Sequence, residues 1–340
     1  MKKLLLPFFV FSVLLIVGAF LYTGSFKTEE IKTDHYEDKI TVGVALWPGH
    51  LPLVVADRLG YFKDAGLNVE LKRYDALAEV SNDYVSGKLQ ARANLTLDTI
   101  SEHLGGLDHK VVLVIDYSNG ADAIIASANV ATLKDIRGKK VAYEHGTLEE
   151  YFLTWALKEE HLSIADIESV PANPEQAVTL LQEGKVDVAV SYEPFISKLT
   201  AADGFHPIYS SKEAPGLISD VLTFRSDFLE SHPEAVEMFT AAYFRALEYW
   251  NEHPKDAAAL MAQEFKATTT EDIMRQLGLI TMLDKGDNQT SLTFAAGPQS
   301  LYGQLRSVGS FLKQQRGLSG HLDTDKLIER RFIKNVIRKD

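Results

Sequence analysis

Apolar residues along this chain follow two rhythms in turn: short runs rich in β-branched side chains, and a helical spacing of three to four. The stretch from Val42 to Leu71 shows both. Val42, Val44 and Leu46 form a strand-like run, and Leu51 to Tyr61 carries apolar residues at helical spacing. Gly60 and Gly66 interrupt the helix, and Val69 to Leu71 resumes as strand. Between the first strand and the helix lies the turn Trp47-Pro48-Gly49-His50. A strand–helix–strand unit predicts a parallel sheet with a right-handed crossover. Small ligands of such sheets sit beyond the carboxyl ends of the strands. Trp47 and His50 occupy such an end, where an aromatic, a rigid proline and a glycine suit a flat contact with a small molecule. A structural turn around a buried tryptophan fits the same residues.

The alternation continues. Ala76 to Ser86 reads as helix and Leu89 to Leu97 as strand. Val111 to Ile115 (VVLVI) is a strand that runs into Asp116-Tyr117-Ser118-Asn119-Gly120-Ala121-Asp122, and Ala123 to Ser127 is the next. Leu133 to Gly138 is a short helix, Lys140 to Tyr143 a strand. Lys140 to Val170 then repeats the opening order, with His145-Gly146-Thr147 as its turn. Val85-Ser86-Gly87-Lys88-Leu89-Gln90 is echoed by Gln182-Glu183-Gly184-Lys185-Val186-Asp187. In each, a helix ends at a glycine, which accepts the left-handed cap cheaply, and a strand starts after lysine. The repetition predicts two similar α/β lobes, residues 40–119 with 220–340, and residues 120–219. The chain would re-enter the first lobe at Asp220-Val221-Leu222-Thr223-Phe224. Beyond it the pattern is helical: Pro233 to His253, Pro254 to about Phe265, Thr270 to near Leu283, and Pro298 to Gln315. Phe239, Tyr243, Phe244 and Trp250 fall at helical spacing and read as core.

The N-terminal end changes the picture of where the chain works. Lys2 and Lys3 precede an uncharged, mostly apolar stretch from Leu4 to Phe26. Residues 1–26 fit a cleaved signal peptide, with Val17-Gly18-Ala19 as a small-residue site, and equally an uncleaved membrane anchor. Residues 27–39 form a polar linker. Both readings place the body outside the cytoplasm. The chain has no cysteine, which excludes disulfides, a lipidated cysteine, a thiolate metal site and a cysteine nucleophile. The formal charge is −12, and about −14 once Lys2 and Lys3 are set aside. That balance argues against nucleic acid and against anionic membrane surfaces as partners.

The ten histidines do not cluster, and H-E-x-x-H, G-x-S-x-G and phosphate-loop patterns are absent. No catalytic residue, metal ligand or cofactor is assigned. Glu144 and His145 are neighbours on a strand end and point to opposite faces, so they do not act on one atom. What remains is a set of residues at strand ends: Trp47 and His50; Thr96 and Asp98; Asp116, Tyr117, Ser118 and Asn119; Glu144, Thr147 and Leu148; Tyr192 and Glu193; and Asp220. Singly, each has a structural reading, such as Asp98 capping a Thr99–Leu104 helix or Asn119 forming a turn. Together, drawn from both lobes, they fit a cleft that closes on a ligand.

At these residues the chain resembles the periplasmic solute-binding proteins of the nitrate/sulfonate/taurine class of ABC importers, which also resemble thiamine-pyrimidine-synthase-like proteins. The matching segments run in order: LWPGHLPLVVADRLGYFKDAGLNVEL, LTLDTI, VVLVIDYSNGADAI, LKDIRGKKVAYEHGTLEEYFL, LLQEGKVDVAVSYEP and DVLTFRSDFLESHPEAV. The resemblance spans Ile40 to the C-terminus. It implies a type II periplasmic-binding-protein fold, an α/β architecture of two Rossmann-like lobes joined by two hinge strands, near Tyr117 to Asp122 and Ser219 to Thr223. It implies a periplasmic protein, soluble or held by its N-terminal segment. Such a protein closes on a small solute and delivers it to a membrane permease with a cytoplasmic ATPase. A monomer is expected. The first lobe would contribute Trp47 to His50 and Thr96 to Asp98, the second Glu144 to Leu148 and Tyr192-Glu193.

One departure concerns the ligand. Nitrate and sulfonate binders need donors for a compact anion. Here Asp98, Asp116, Glu144, Glu193 and Asp220 are acceptors, costly to bury unpaired. They point to an amine, amidine or nitrogen heterocycle, with Trp47 or Tyr192 stacked on it. Two further readings are a membrane-anchored ligand sensor and a thiamine-pyrimidine-synthase-like enzyme. The cysteine-rich motif of the latter has no counterpart here.

Overall fold

A computed structural model describes residues 36–339, apart from 46, 76, 201–203, 265–267 and 319. The apolar leader lies outside the described residues. Among those described, no helix is long and apolar enough to cross a membrane.

The strands are β1 (Tyr36–Ala45), β2 (Leu67–Tyr74), β3 (Ala91–Leu95), β4 (His109–Ser118), β5 (Asp122–Ser127), β6 (Lys140–Tyr143), β7 (Glu168–Pro171), β8 (Val188–Tyr192), β9 (Phe205–Ser210), β10 (Ser219–Arg225) and β11 (Ile280–Met282). They form two sheets, ordered β11-β4-β10-β3-β1-β2 and β7-β6-β8-β5-β9. β1 runs parallel to β2 and β3, and β6 parallel to β7 and β8. β10 lies antiparallel between β3 and β4, and β5 antiparallel between β8 and β9. The chain leaves the first sheet after β4, enters the second with β5, and returns from β9 to β10. Val111–Ile115 of β4 are fully buried, as an unbroken apolar run requires when both faces of a sheet are covered.

The two echoed segments behave alike. Gly87 and Gly184 follow the helices Leu77–Val85 and Pro174–Gln182 with φ of +80° and +67°, a backbone setting that glycine takes without strain. The helix Pro233–Glu252 buries Phe239, Tyr243 and Phe244, while Trp250 is half-buried. Phe239 stacks on Phe62 at 4.6 Å between ring centres. Burying one such ring contributes about 2–3 kcal/mol.

Several boundaries differ from expectation, each for a local reason. β1 begins at Tyr36, inside the expected linker, because its first residues continue pairing with β2. β3 stops at Leu95, and the next helix begins at Thr96 rather than Thr99, which puts Asp98 in its first turn. β9 was not expected: it holds Pro207, which a strand tolerates at a sheet edge, and β9 is an edge strand. The helix from Thr270 ends at Leu277, short of Leu283. Ile280, Thr281 and Met282 instead pair with Ser118, Tyr117 and Asp116, satisfying backbone groups at the open edge of β4. The region after β10 is therefore not wholly helical. The last long helix starts at Leu301 rather than Pro298, and Leu133–Ile136 is a single 3-10 turn.

Candidate ligand-binding site

A cavity of about 350 Å³ opens where β1, β3, β6 and β8 end, lined by residues carried on both sheets. That volume lies at the low end of the range for small-molecule sites. Its first-lobe floor is built from the turn after β1 and from β4 and β10. Trp47 Nε1 donates to Asp116 Oδ2 at 3.2 Å. The turn can pass over the Asp116 carboxylate only because residue 49 has no side chain: a Cβ on Gly49 would fall 1.7 Å from Asp116 Oδ2. Asp116 and Asp220 are register partners on β4 and β10. Both are almost fully buried, 2% and 5% exposed. Among the described residues Asp220 Oδ1 has no hydrogen-bond partner, and its other oxygen lies 3.4 Å from His50 Nε2.

The opposite wall begins at the hinge. Asp122, the first residue of β5, accepts from Ser118 Oγ at 2.5 Å, and Ser118 Oγ lies 2.7 Å from Ser211 Oγ. Glu144 follows β6, while Thr147, Leu148 and Glu149 form the start of the helix Leu148–Glu159. Tyr192 ends β8 directly across from Asp122.

Burial governs the electrostatics. It pushes Asp122 up to about 7, with Glu149 and Asp220 adding to the effect and the Ser118 hydroxyl opposing it. Asp98 is raised to about 6, chiefly by burial and then by the nearby Glu102 and Asp220, against the pull of Arg92 and Arg316. Asp116 is raised well above the ordinary carboxylate range by burial and by Asp220 beside it. Burial also raises Glu149, against the Thr147 hydroxyl. Asp75, Asp98, Asp116, Asp122, Glu144, Glu149 and Asp220 all line the cavity, and among the described residues no Lys, Arg or His does. Nearby cations are engaged elsewhere. Arg316 donates to the Gly146 carbonyl at 3.1 Å and Ser101 Oγ at 2.9 Å, and Arg92 is paired with Glu102. No three of the described His, Asp and Glu residues are grouped so as to hold a metal ion.

Of the residues proposed from sequence, Trp47, Asp98, Asp116, Ser118, Glu144, Thr147, Leu148, Tyr192 and Asp220 line the cavity. Five do not. His50 is fully buried beneath the floor, its Nδ1 lying 3.0 Å from the Ala45 carbonyl. The Thr96 hydroxyl lies 2.6 Å from Ser219 Oγ, which donates to Gln304 Oε1 at 2.7 Å; it ties the helix Thr96–Leu104 and β10 to the Leu301–Arg316 helix. The Tyr117 hydroxyl turns away to Ser291 and the Gln299 carbonyl. Asn119 is exposed, and its backbone N–H donates to Leu279. Glu193 accepts from Ser197 of the next helix and faces Arg275. Residues that face opposite ways along a strand or turn share a sequence neighbourhood but not a site. The site also holds residues the sequence reading missed. Asp122 and Glu149 carry readable signals, a turn-forming acid and an acid in the first turn of a helix, but both fit structural roles as well. Asp75 and Ser219 carry no local signal.

A two-sheet α/β chain with a cleft at the strand ends between its lobes is the architecture of a periplasmic binding protein. The crystallised periplasmic aliphatic sulphonate binding protein SsuA of Escherichia coli shares it. The TM-score is 0.73 at 16% identity, over 88% of this chain and 100% of that one, a likeness of fold. The model of the family described as NMT1/THI5 like matches residues 47–257, and the chain belongs to that family. A Bacillus subtilis (strain 168) protein, named provisionally as an aliphatic sulfonates-binding protein, is 22% identical over 96% of both chains. A Candida albicans (strain WO-1) enzyme, 4-amino-5-hydroxymethyl-2-methylpyrimidine phosphate synthase, is 24% identical over 66% of this chain and 70% of its own.

Proposed function

We propose that the chain is the extracytoplasmic solute-binding component of an ABC importer, and that its solute is a cationic nitrogen compound: an amine, an amidine or a protonated heterocycle. The lobes, taken as residues 40–119 with 220–340 and residues 120–219, close on it. A monomer in the periplasm, soluble or tethered by the N-terminal segment, then hands it to a permease driven by a cytoplasmic ATPase. One observation carries the choice of solute: seven carboxyl groups line the cavity and, among the described residues, no Lys, Arg or His lines it with them, His50 reaching Asp220 only from beneath at 3.4 Å. A sulfonate or nitrate would meet acceptors where it needs donors. A cation supplies the missing donors, and the aromatic residues Trp47 and Tyr192 line the same cavity.

A thermal-shift panel tests this, spanning nitrate, taurine, alkyl sulfonates, amines, guanidines and pyrimidines. A ligand at 100 times its dissociation constant stabilises by about 2.7 kcal/mol, enough to raise the midpoint by several degrees. Amines, guanidines or protonated heterocycles should shift it. Shifts from oxyanions alone would overturn the choice of solute.

A further inference from the structure

The cavity has two acidic walls of similar make. On the first lobe, Asp116 accepts the indole N–H of Trp47 and is the register partner of Asp220; on the second, Glu144 and Glu149 lie within electrostatic reach of Tyr192. Each wall is short of donors. Asp116 receives the Trp47 indole N–H and the backbone N–H of Asp220, and Asp220 Oδ1 receives nothing from the described residues. Thr147 has a single hydroxyl proton to share between the Glu144 carbonyl at 2.8 Å and Glu149 Oε2 at 2.6 Å, so the buried Glu149 has that shared proton and its own backbone N–H against a full negative charge. A ligand with one cationic group can satisfy one wall and leaves the other facing it across a closed cleft. A single metal ion does not serve either, since no three of the described acids and histidines are suitably grouped.

Resting on the cation reading above, we infer that the solute carries a cationic nitrogen group at each of two ends, one held by Asp116 and Asp220 and the other by Glu144 and Glu149. A short diamine or an amino-guanidine has this chemistry. The ligand itself would then bridge the lobes, making its two charges the tie that holds the cleft shut.

The test is calorimetric titration of the full-length chain with linear diamines of increasing length and agmatine. Monoamines of matching length and taurine serve as comparisons. The best diamine or amino-guanidine should bind at least about tenfold more tightly than its matched monoamine, the gain expected of one added charge-assisted pair. Replacing both second-lobe acids, Glu144→Gln with Glu149→Gln, should remove that preference, bringing diamine and matched monoamine to within about threefold of each other. The wild-type comparison needs no variant to fold. Monoamines binding as tightly as diamines would overturn the two-pole inference and leave the cation reading intact. Binding of taurine alone, or of no amine in the series, would overturn both.

Discussion

Asp122→Asn in the empty protein isolates one buried carboxyl. Asp122 is 8% exposed, accepts one hydrogen bond from Ser118, and faces Glu149 and Asp220. Its folded value of about 7 stands against an ordinary 3.8. A carboxyl whose value is raised on folding binds its proton more tightly in the native state. Its contribution is therefore neutral near pH 4 and turns destabilising as pH climbs to 7, where the native state must give up the proton. At 1.36 kcal/mol per pH unit the full loss is about 4 kcal/mol. Asparagine has the same shape, keeps an oxygen for the Ser118 hydroxyl, and does not titrate. Asp98, raised to about 6, adds to the wild-type slope but is unchanged in the variant.

The comparison is urea unfolding of both proteins, without ligand, at pH 5 and pH 8. At pH 5 the variant should already lead by about 1–2 kcal/mol, because the 1.2 pH units above 3.8 cost the wild type about 1.6 kcal/mol. At pH 8 the variant should be more stable by about 2–4 kcal/mol, equivalent to several degrees in melting midpoint. An amine that stabilises the wild type at pH 8 should stabilise the variant less. A variant equally or less stable than wild type at pH 8 would refute the assignment of Asp122 as a strained, uncompensated carboxyl.

Other perturbations read separate parts of the structure. Gly49→Ala pushes a methyl into Asp116 and should cost about 1–3 kcal/mol in urea unfolding, with weaker ligand binding; an unchanged midpoint would contradict the close approach. Trp47→Phe removes the indole donor to Asp116 and should weaken amine binding by about tenfold in titration while stability moves by no more than about 1 kcal/mol. Glu102→Ala leaves Arg92, fully buried, without its carboxylate and should destabilise by about 3–5 kcal/mol; a loss under about 1 kcal/mol would show that Ser81 and the Tyr84 ring suffice. Gln304→Ala breaks the Thr96–Ser219–Gln304 chain and should cost about 1–3 kcal/mol, read in the same unfolding assay.

The fold was legible because its signals are local. The VVLVI run, the Gly87 and Gly184 caps and the echo between the lobes each depend on a few adjacent residues, and each appears in the structure. What failed to show was set by long-range pairing. Ile280–Met282 is a strand only because β4 offers an open edge, and Phe205–Ser210 only because β5 does. The site divides the same way. Strand ends marked Trp47, Asp116, Glu144 and Tyr192, since chain direction alone puts a strand's last residues at the cleft. Which side of the backbone a residue faces there depends on its neighbours in space. Tyr117 and Ser118 are adjacent, yet Tyr117 reaches the C-terminal helices while Ser118 turns to the hinge and Asp122. Tyr243 shows the limit most sharply. It sits in a helix that reads as pure core, yet its buried hydroxyl has no hydrogen-bond partner among the described residues and lies within electrostatic reach of Asp116 and Asp220.

The position of the acids bears on more than solute choice. Asp116 and Asp220 are paired on β4 and β10, the strands that connect to the second lobe, and Asp122 begins the strand that receives the chain there. In the proposed mechanism, protons and a cationic solute compete for the same oxygens at the point where the lobes join. At low pH, protons neutralise Asp122 and Asp98 and a cation gains less by binding; at pH 8 it finds them ionised. Amine affinity and empty-protein stability should therefore move in opposite directions between pH 5 and pH 8, because one set of carboxyls lies behind both. A fold shared with a sulfonate binder supplies the cleft; these carboxyls make it acidic.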